Sequence, residues 1–454
     1  MLAAARRLAP NATMAVLVVV AVAVRWSVLD VESGDFHAFL DPWYTHLAQR
    51  GFAGLGDDFS NYNTPYLVLL WAATHLPLPE LVAVKAVSVA FEVLLAVVAF
   101  RVVGVVRPGS VWWPRLVAGA LLLLPTVVMN GAAWGQCDAV YDSLVLGSLY
   151  LLITRRPWWA CALFGLALAF KLQAVFFLPV LVLLLLTGRQ GVVSLTAVPA
   201  AFLAALVPAM VAGRGLLDQL AVYPAQVSGA SSVGVAASGR VGPRGGGGGR
   251  GGPPVPAGAG APPPDLMAGG VGSGAGRPGG GPGGDAEVWT GHAFTANAPT
   301  PYAWLPADAG QAWKVGGLVV AAVVGLAFGV WLLRRRRALT PGEMVLVAAA
   351  VTLVIPWLLP EMHERYFFLA EVLLVVAVAA DLRALVPATV LQAASATTYL
   401  AYLRSEQVVP LGASAALAAV AVVAVAVLAV VRLGSPDPKR GHRSASPPAP
   451  LPIT

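Results

Sequence analysis

The feature that most constrains the fold is a series of long apolar runs separated by short polar stretches. A membrane-crossing helix needs about 20 apolar residues. Because 58% of the residues are hydrophobic and only 11% are charged, soluble globular classes are excluded. Ten runs approach or exceed the required length: 12–29, 82–106, 114–131, 137–154, 190–213, 313–333, 342–360, 366–381, 385–403 and 408–432.

One further apolar run, 157–187, is too long for a single helix and contains "FKLQ" near its middle. We predict a break there and two short spans. The stretch 64–77 is too short to cross a membrane, and we predict a helix lying on the outer surface. The sequence therefore predicts an all-α, polytopic membrane protein of about 12 transmembrane helices, with short interfacial helices in the first outer loop.

Basic residues orient these predicted spans. The formal net charge of +7 comes from short basic clusters between apolar runs, which is typical of cytoplasmic loops and not of a nucleic-acid surface. With an uncleaved first span and both termini in the cytoplasm, all of these clusters are cytoplasmic and the polar motifs face the outer side. The basic residues concerned are Arg6, Arg7, Arg101, Arg107, Arg115, Arg155, Arg156, Arg189, 334–337, Arg383 and 439–443.

Composition divides the chain into four segments. Glycine and proline dominate 228–286, which can bury little apolar surface and is expected to be a disordered outer-loop insert. Its Arg-Gly-Gly tract raises the alternative of RNA binding, but the predicted outer location favours a linker. The other segments are an N-terminal transmembrane module, 1–227, with an acidic first outer loop at 30–80 that is a candidate catalytic loop, a C-terminal transmembrane module, 287–432, and a cytoplasmic tail, 433–454.

The first outer loop carries several acidic and aromatic side chains within "GDFHAFLDPWY". One interpretation is a solvated loop with an aromatic belt at the membrane interface. The alternative is that one of the carboxylates, among Asp30, Glu32, Asp35 and Asp41, acts as a general base just above the membrane. The loop by itself does not decide between them.

Two internal motifs have similar alternatives. In "WGQCDAVYDS", Asp138 and Asp142 either cap an apolar helix or belong to a site. In "FKLQ", Lys171 either extends to the outer surface or supplies a cation for a phosphate. The only cysteines, Cys137 and Cys161, form no disulfide framework or zinc motif. No metal ligand or cofactor is predicted, and a divalent cation remains an open alternative.

A charged cluster, "MHER", lies between two apolar runs, where a buried charge is costly. It must therefore lie at a membrane surface or line a wet cavity. The guanidinium of Arg365 offers a planar set of donors that suits phosphate. His363 and Glu364 beside it could bind sugar hydroxyls or orient the arginine.

Taken in order, "GDFHAFLDPWY", "NYNTPY", "WGQCD", "FKLQ", "NAPTPYAW" and "MHER" resemble the integral-membrane GT-C glycosyltransferases. The resemblance is to the branch that contains the dolichyl-phosphate-glucose-dependent glucosyltransferases of N-glycan assembly and their bacterial mannosyltransferase-like relatives. It covers roughly 20–400, apart from 228–286. The chain departs from that pattern in having one proline in "NTPY" where two are usual, and in the insert.

The resemblance implies an inverting transfer of a hexose from a polyprenyl-phosphate donor to a lipid- or envelope-linked glycan acceptor, on the outer face of the cell membrane. It implies that Asp35, by its place in the Gly-Asp-aromatic motif, is the catalytic base. Membrane lipids are expected partners. The residues expected to bind the donor are Lys171, Gln173, His363, Glu364 and Arg365. Further substrate-binding candidates are Asp41, Trp43, Tyr62, Trp134, Gln136, Asp138, Asn297 and Tyr302.

Two other functions fit a chain of this class. A transporter or flippase of lipid-linked sugars would place ionisable groups near the membrane midplane on broken helices. Here the polar motifs gather at one predicted face, and no internal repeat is visible. A polysaccharide polymerase or ligase would favour arginine-rich outer loops. The glycosyltransferase interpretation is preferred, and the sequence names neither the sugar nor the acceptor.

Overall fold

The computed structural model describes residues 2–228, 294–306, 309–335 and 337–435. Most of the predicted insert, and the tail after 435, lie outside these residues. The α-helices in the described part are α1 (Leu2–Trp26), α2 (Asp41–Arg50), α3 (Thr64–Ala73), α4 (Glu80–Val106), α5 (Trp112–Leu123), α6 (Pro125–Val128), α7 (Asp138–Ile153), α8 (Pro157–Phe170), α9 (Leu178–Thr187), α10 (Ala197–Val211), α11 (Leu216–Leu220), α12 (Val222–Ser228), α13 (Ala312–Arg334), α14 (Pro341–Leu358), α15 (Phe368–Val378), α16 (Leu385–Arg404) and α17 (Leu411–Gly434).

Short irregular elements connect these helices. The strands β1 (Thr295–Ala296) and β2 (Met362–His363) pair in parallel and are the two strands among the described residues. Two π-helical turns occur at Phe36–Leu40 and Met129–Trp134. The 3₁₀ turns near the site are Gly51–Gly56, Leu172–Phe177, Pro301–Trp304 and Glu364–Phe367, and two more occur at Val192–Thr196 and Leu382–Ala384.

Helix length bears directly on the predicted spans. In the described part, six helices are long and apolar enough to cross a membrane, or up to seven if the bent pair Trp112–Leu123 and Pro125–Trp134 is one span. The expected break at "FKLQ" is observed, because α8 ends at Phe170 and α9 begins at Leu178. The resulting apolar helices, Pro157–Phe170 and Leu172–Thr187, are shorter than that length. An all-α protein with several membrane-length helices is thus observed, and the count of about 12 spans stays a prediction.

Burial separates central helices from peripheral ones. The largest buried cluster combines α4, α7, α8, α14, α15 and α16, from both sides of 229–293. Helix α7 is buried on nearly all sides, whereas α13 buries only Ala321, Gly329 and Leu332. The apolar side chains that α1, α13 and α17 leave exposed, such as Val16 and Leu326, are what a lipid-facing helix requires.

The first loop is compact. Its π-helical turn, α2, Gly51–Gly56 and α3 enclose a second buried cluster that contains Phe36, Trp43 and Tyr66. Helix α3 has ten residues, which is shorter than a span, and six of them are buried, including the whole first turn. Lys85 of α4 donates to the carbonyl oxygens of Val28 (3.3 Å), Leu29 (2.8 Å) and Val31 (2.5 Å). These bonds hold the start of the loop against α4.

Candidate functional site

The candidate site lies at one end of the helix bundle. Asp35 follows the end of α1, and Gln136 precedes α7. Lys171 follows the end of α8, Arg365 precedes α15, and Tyr402 lies in the last turn of α16. Because successive helices run in opposite directions, these alternating termini come together at the same end of the bundle. We call this the Asp35 end.

Arginines mark the opposite end. Arg107, after α4, donates to the carbonyl oxygen of Ala379 at the end of α15 (3.2 Å). Arg383 and Arg432 both contact the carboxylate of Asp381, at 2.8 and 2.7 Å. Because neighbouring helices alternate in direction, these arginines lie at the end of the bundle opposite Asp35.

The carboxylate of Asp35 accepts hydrogen bonds from four side chains. Its Oδ2 accepts from Trp134 Nε1 (2.9 Å), from Gln136 Nε2 and from Arg365 Nη1 (3.4 Å). Its Oδ1 accepts from the hydroxyl of Tyr402 (2.8 Å). The Asp35 side chain remains 16% exposed, so it lines an accessible surface with a fixed orientation. Such a carboxylate is well placed to act on a bound substrate.

A glycine turn brings two of these donors to Asp35. The π-helical turn Met129–Trp134 ends at Gly135, whose φ of 84° lies in the left-handed region that favours glycine. The chain then turns so that Trp134 and Gln136, on either side of Gly135, both donate to Asp35 Oδ2. A side chain at 135 would be strained in this conformation, which links the local backbone to the geometry of the site.

Arg365 has hydrogen-bonding capacity left over. Its guanidinium lies 5.4 Å from the centre of the Trp134 ring and donates to Asp35 through Nη1 alone. Its Nε atom is buried and has no hydrogen-bond partner among the described residues. An arginine of this kind is suited to bind an anion at its remaining donors.

Lys171 joins the cluster through Gln136. Its Nζ atom lies 2.5 Å from Asp138 Oδ1 and 3.4 Å from Gln136 Oε1. Gln136 Oε1 also accepts from the hydroxyl of Tyr62 (3.3 Å), and Asp138 Oδ2 accepts from Asn130 Nδ2 (2.7 Å). Gln136 therefore bridges the Asp35 carboxylate to the ammonium group of Lys171.

The "MHER" motif is held by the segment after residue 293. Ala296 pairs with His363 in the short sheet, and Asn297 forms an antiparallel bridge with the same residue. Burial lowers the pKa of His363 to about 3, and the positive charges of Arg365 and Lys171 lower it too. His363 is therefore neutral at physiological pH. Burial raises the pKa of Glu364 to about 7, against the opposing effect of Arg365.

The remaining candidates are placed less directly. Asp41 accepts from Thr45 Oγ1 (3.4 Å), and the Trp43 ring packs on Tyr62 with centroids 5.0 Å apart. Gln173 has a buried Oε1 without a hydrogen-bond partner among the described residues. Tyr302 donates to the carbonyl oxygen of Leu358 (2.7 Å), and Asn297 donates to that of Thr398 (2.9 Å). No hydrogen bond to Asp35 involves any of these residues in the part of the chain that the structure describes.

Sequence reasoning missed Tyr402, Tyr399 and Asn130. Tyr402 contacts Asp35, which is 367 residues away, and its ring stacks on Trp134 with centroids 3.8 Å apart. Asn130 donates to both Asp138 and Tyr399. The available signal was weak: polar and aromatic side chains near the ends of apolar helices, which equally suit interfacial anchors.

Metal-ligating side chains do not cluster in the described ranges. No group of three or more His, Cys, Asp or Glu residues there could hold a metal ion. The Asp35 carboxylate is bonded to four hydrogen-bond donors and not to other metal-ligating side chains among the described residues.

Comparison with protein families gives one match. Residues 59–237 match the model of glycosyltransferase family 87. This range contains Gln136, Asp138 and Lys171, and it excludes Asp35 and Arg365. No curated protein matches the chain. Together with the membrane-length helices, the family match supports a membrane glycosyltransferase that uses a sugar donor and an acceptor.

Proposed function

We propose that this protein is an inverting GT-C type hexosyltransferase that uses a polyprenyl-phosphate-linked sugar and acts on the outer face of the cell membrane. One observation carries the proposal. Asp35, Gln136, Lys171 and Arg365, from four separate segments, form one hydrogen-bonded cluster with a carboxylate and two cations. A sugar transfer from a lipid phosphate needs a base for the acceptor and positive charge for the leaving group.

Asp35 is the proposed general base. Its carboxylate takes the proton of the acceptor hydroxyl, and the freed electron pair on that oxygen forms the new bond to the anomeric carbon. The bond from the anomeric carbon to the phosphate oxygen breaks, and its electrons leave with the lipid phosphate. A single displacement inverts the anomeric centre. Only one carboxylate is needed, because the phosphate leaves as an anion without protonation.

Arg365 and Lys171 are proposed to bind the phosphate. Arg365 carries an unused Nε–H, and a guanidinium matches two phosphate oxygens at once. Lys171 is already paired with Asp138, which limits its net charge and holds its ammonium group in place. The stronger contribution to phosphate binding is therefore expected from Arg365.

His363, Glu364 and Gln173 complete the proposed donor site. A neutral His363 can donate and accept hydrogen bonds, which suits sugar hydroxyls better than a second cation would. Gln173 offers a buried amide oxygen for a hydroxyl donor. Tyr62 and Trp134, which bond to Gln136 and Asp35, are proposed to contact the substrate beside them.

The helix bundle supports the proposed location in a membrane and the proposed lipid-linked donor. The exposed apolar faces of α1, α13 and α17 suit contact with lipid tails, and the donor's isoprenoid chain needs such an environment. The clustering of arginines opposite the Asp35 end supports an orientation with cytoplasmic termini and an outward-facing site. The acceptor is then a lipid- or envelope-linked glycan.

The direct test uses purified protein in detergent. Polyprenyl-phosphate mannose and polyprenyl-phosphate glucose, each radiolabelled in the hexose, are incubated with an envelope lipid and glycan extract. We expect transfer of label from one donor, with inverted anomeric configuration by NMR of the product. Asp35→Asn protein is the control.

The same protein in liposomes tests the transporter alternative. Movement of a lipid-linked sugar across the bilayer by both wild-type and Asp35→Asn protein, without transfer to any acceptor, would overturn the proposal. Mass spectrometry of envelope glycans from a deletion strain then identifies the acceptor.

A further inference from the structure

The two oxygens of the Asp35 carboxylate have different surroundings. Oδ2 accepts hydrogen bonds from three donors, namely Trp134, Gln136 and Arg365. Among the described residues, Oδ1 accepts from Tyr402 alone. A carboxylate oxygen has two lone pairs, so Oδ2 is fully used while Oδ1 keeps one lone pair for a further donor. A substrate hydroxyl can therefore approach only Oδ1 without displacing an existing bond.

Tyr402 is held so that its single hydroxyl hydrogen reaches Oδ1. The backbone N–H of Asp35 donates to the Tyr402 oxygen (3.2 Å), and that oxygen donates to Asp35 Oδ1 (2.8 Å). The Tyr402 ring stacks on Trp134 at an interplanar angle of 17°. Trp134 in turn donates to Oδ2 (2.9 Å). Each ring of the stacked pair therefore donates one hydrogen bond to Asp35, Tyr402 to Oδ1 and Trp134 to Oδ2.

We propose that Tyr402 is a positioning residue that presents Asp35 Oδ1 to the acceptor hydroxyl. The inference rests on the proposed function of Asp35 as general base. The proton of the acceptor hydroxyl moves to the free lone pair of Oδ1, and the acceptor oxygen keeps the electron pair for its bond to the sugar. Tyr402 gives up no proton. It restricts rotation of the carboxylate and stabilises its charged form.

The test is Tyr402→Phe, which keeps the ring stacked on Trp134 and removes only the hydroxyl. A hydrogen bond to a charged group contributes about 1.5–3 kcal/mol, so kcat should fall about ten- to a hundredfold. The KM for the donor should stay unchanged, because the hydroxyl contacts Asp35 and not the phosphate-binding residues. The acidic limb of the pH–rate profile should move to higher pH, because the charged carboxylate loses a donor.

The assay uses whichever of polyprenyl-phosphate mannose and polyprenyl-phosphate glucose the wild-type protein turns over. Tyr150→Phe is the matched control. It removes the same hydroxyl from another half-buried tyrosine, near the end of α7 remote from Asp138, and should behave as wild type.

Three outcomes with the variants Tyr402→Phe and Asp35→Asn separate the inference from the proposed function. Wild-type kcat and an unshifted pH profile in Tyr402→Phe, with Asp35→Asn inactive, would overturn the role of Tyr402 alone. Normal transfer by Asp35→Asn would overturn the proposed base, whatever Tyr402→Phe does. A Tyr402→Phe protein with a lower melting temperature but an unshifted acidic limb would show a structural role and would also overturn the inference.

Discussion

Two carboxylate–guanidinium pairs look alike and differ in how many hydrogen bonds the arginine donates. Glu92 and Arg25 are 2.7 Å apart, with side chains 1% and 9% exposed. Asp35 and Arg365 are 3.4 Å apart, with side chains 16% and 12% exposed. Both pairs remove charge from water, so burial alone does not distinguish a structural pair from a site.

The hydrogen-bond partners of each arginine distinguish the structural pair from the candidate site. Arg25 bonds Glu92 through Nε, and its Nη1 donates to the carbonyl oxygens of Ala21 (3.1 Å) and Leu122 (2.7 Å). It therefore ties α1 to α4 and α5. A Cβ atom at Gly131 would lie 1.9 Å from Glu92 Oε1, so that side of the pair is closed by backbone.

Among the described residues, Arg365 makes a single long hydrogen bond, to Asp35, and its buried Nε has no hydrogen-bond partner. The Asp35–Arg365 pair is also joined to a second cation through Gln136. A guanidinium that donates one hydrogen bond, beside a carboxylate that is 16% exposed, therefore marks a place where a ligand can complete the bonding. The following predictions test this distinction, from the largest expected effect to the smallest.

Asp35→Asn should lower the rate of hexose transfer by about a hundred- to ten-thousandfold, because the reaction loses its general base. The amide fills the same volume, so expression, melting temperature and donor binding should change little. Steady-state transfer from a polyprenyl-phosphate hexose measures the rate. If Asp35→Asn is active and Asp41→Asn is not, the base is Asp41.

Glu92→Ala should lower the free energy of unfolding by about 3–5 kcal/mol, because Arg25 is left buried without its partner. Transfer per folded molecule should be unchanged, in contrast to Asp35→Asn. Thermal and denaturant unfolding in detergent, followed by activity of the folded fraction, checks both parts. An inactive but fully stable Glu92→Ala protein would place this pair in the site and remove the distinction.

Arg365→Ala should weaken donor binding about ten- to a hundredfold, since hydrogen bonds to charged groups contribute about 1.5–3 kcal/mol each. Arg365→Lys should recover only part of the loss, because an ammonium lacks the planar pair of donors. Titration with a polyprenyl-phosphate hexose measures the affinity. Arg383→Ala, at the opposite end of the bundle, is the control, and wild-type affinity in Arg365→Ala would remove its phosphate role.

Glu364 should make stability depend on pH. Burial raises its pKa in the folded protein to about 7, against 4.5 as the ordinary value. The folded state holds this proton more tightly, so the stabilisation present below pH 4.5 is lost as pH rises through 7. Glu364→Gln should flatten the fall in melting temperature over that interval. An equally steep fall in the variant would show that another group is responsible.

Much of the architecture follows from sequence patterns. The apolar runs predict helices, and the break at "FKLQ" follows because a polar pair interrupts a run too long for one helix. The helices α8 and α9 are nevertheless shorter than a typical span. An apolar run does not show where an α-helix ends if part of the run forms a 3₁₀ turn. The number of membrane spans could therefore not be obtained by counting apolar runs.

The residues of the candidate site also divide into those that sequence patterns point to and those that they do not. The family resemblance points to Asp35 as a candidate, and the cost of charge beside apolar runs points to Lys171 and Arg365. Tyr402 could not be identified, since a tyrosine near a helix end is a common interfacial anchor. The sequence also does not show that Glu92, inside an apolar helix, pairs with Arg25.

The sequence by itself determined that this chain is a helical membrane protein with ionisable motifs near the ends of its apolar runs. Hydrophobic periodicity and charge cost are local properties, and they can be read one segment at a time. Only the tertiary structure decided that Asp35 meets Tyr402, and that among the described residues Arg25 donates three hydrogen bonds while Arg365 donates one. These contacts join segments up to 367 residues apart, and they depend on how helices pack, which no local pattern records.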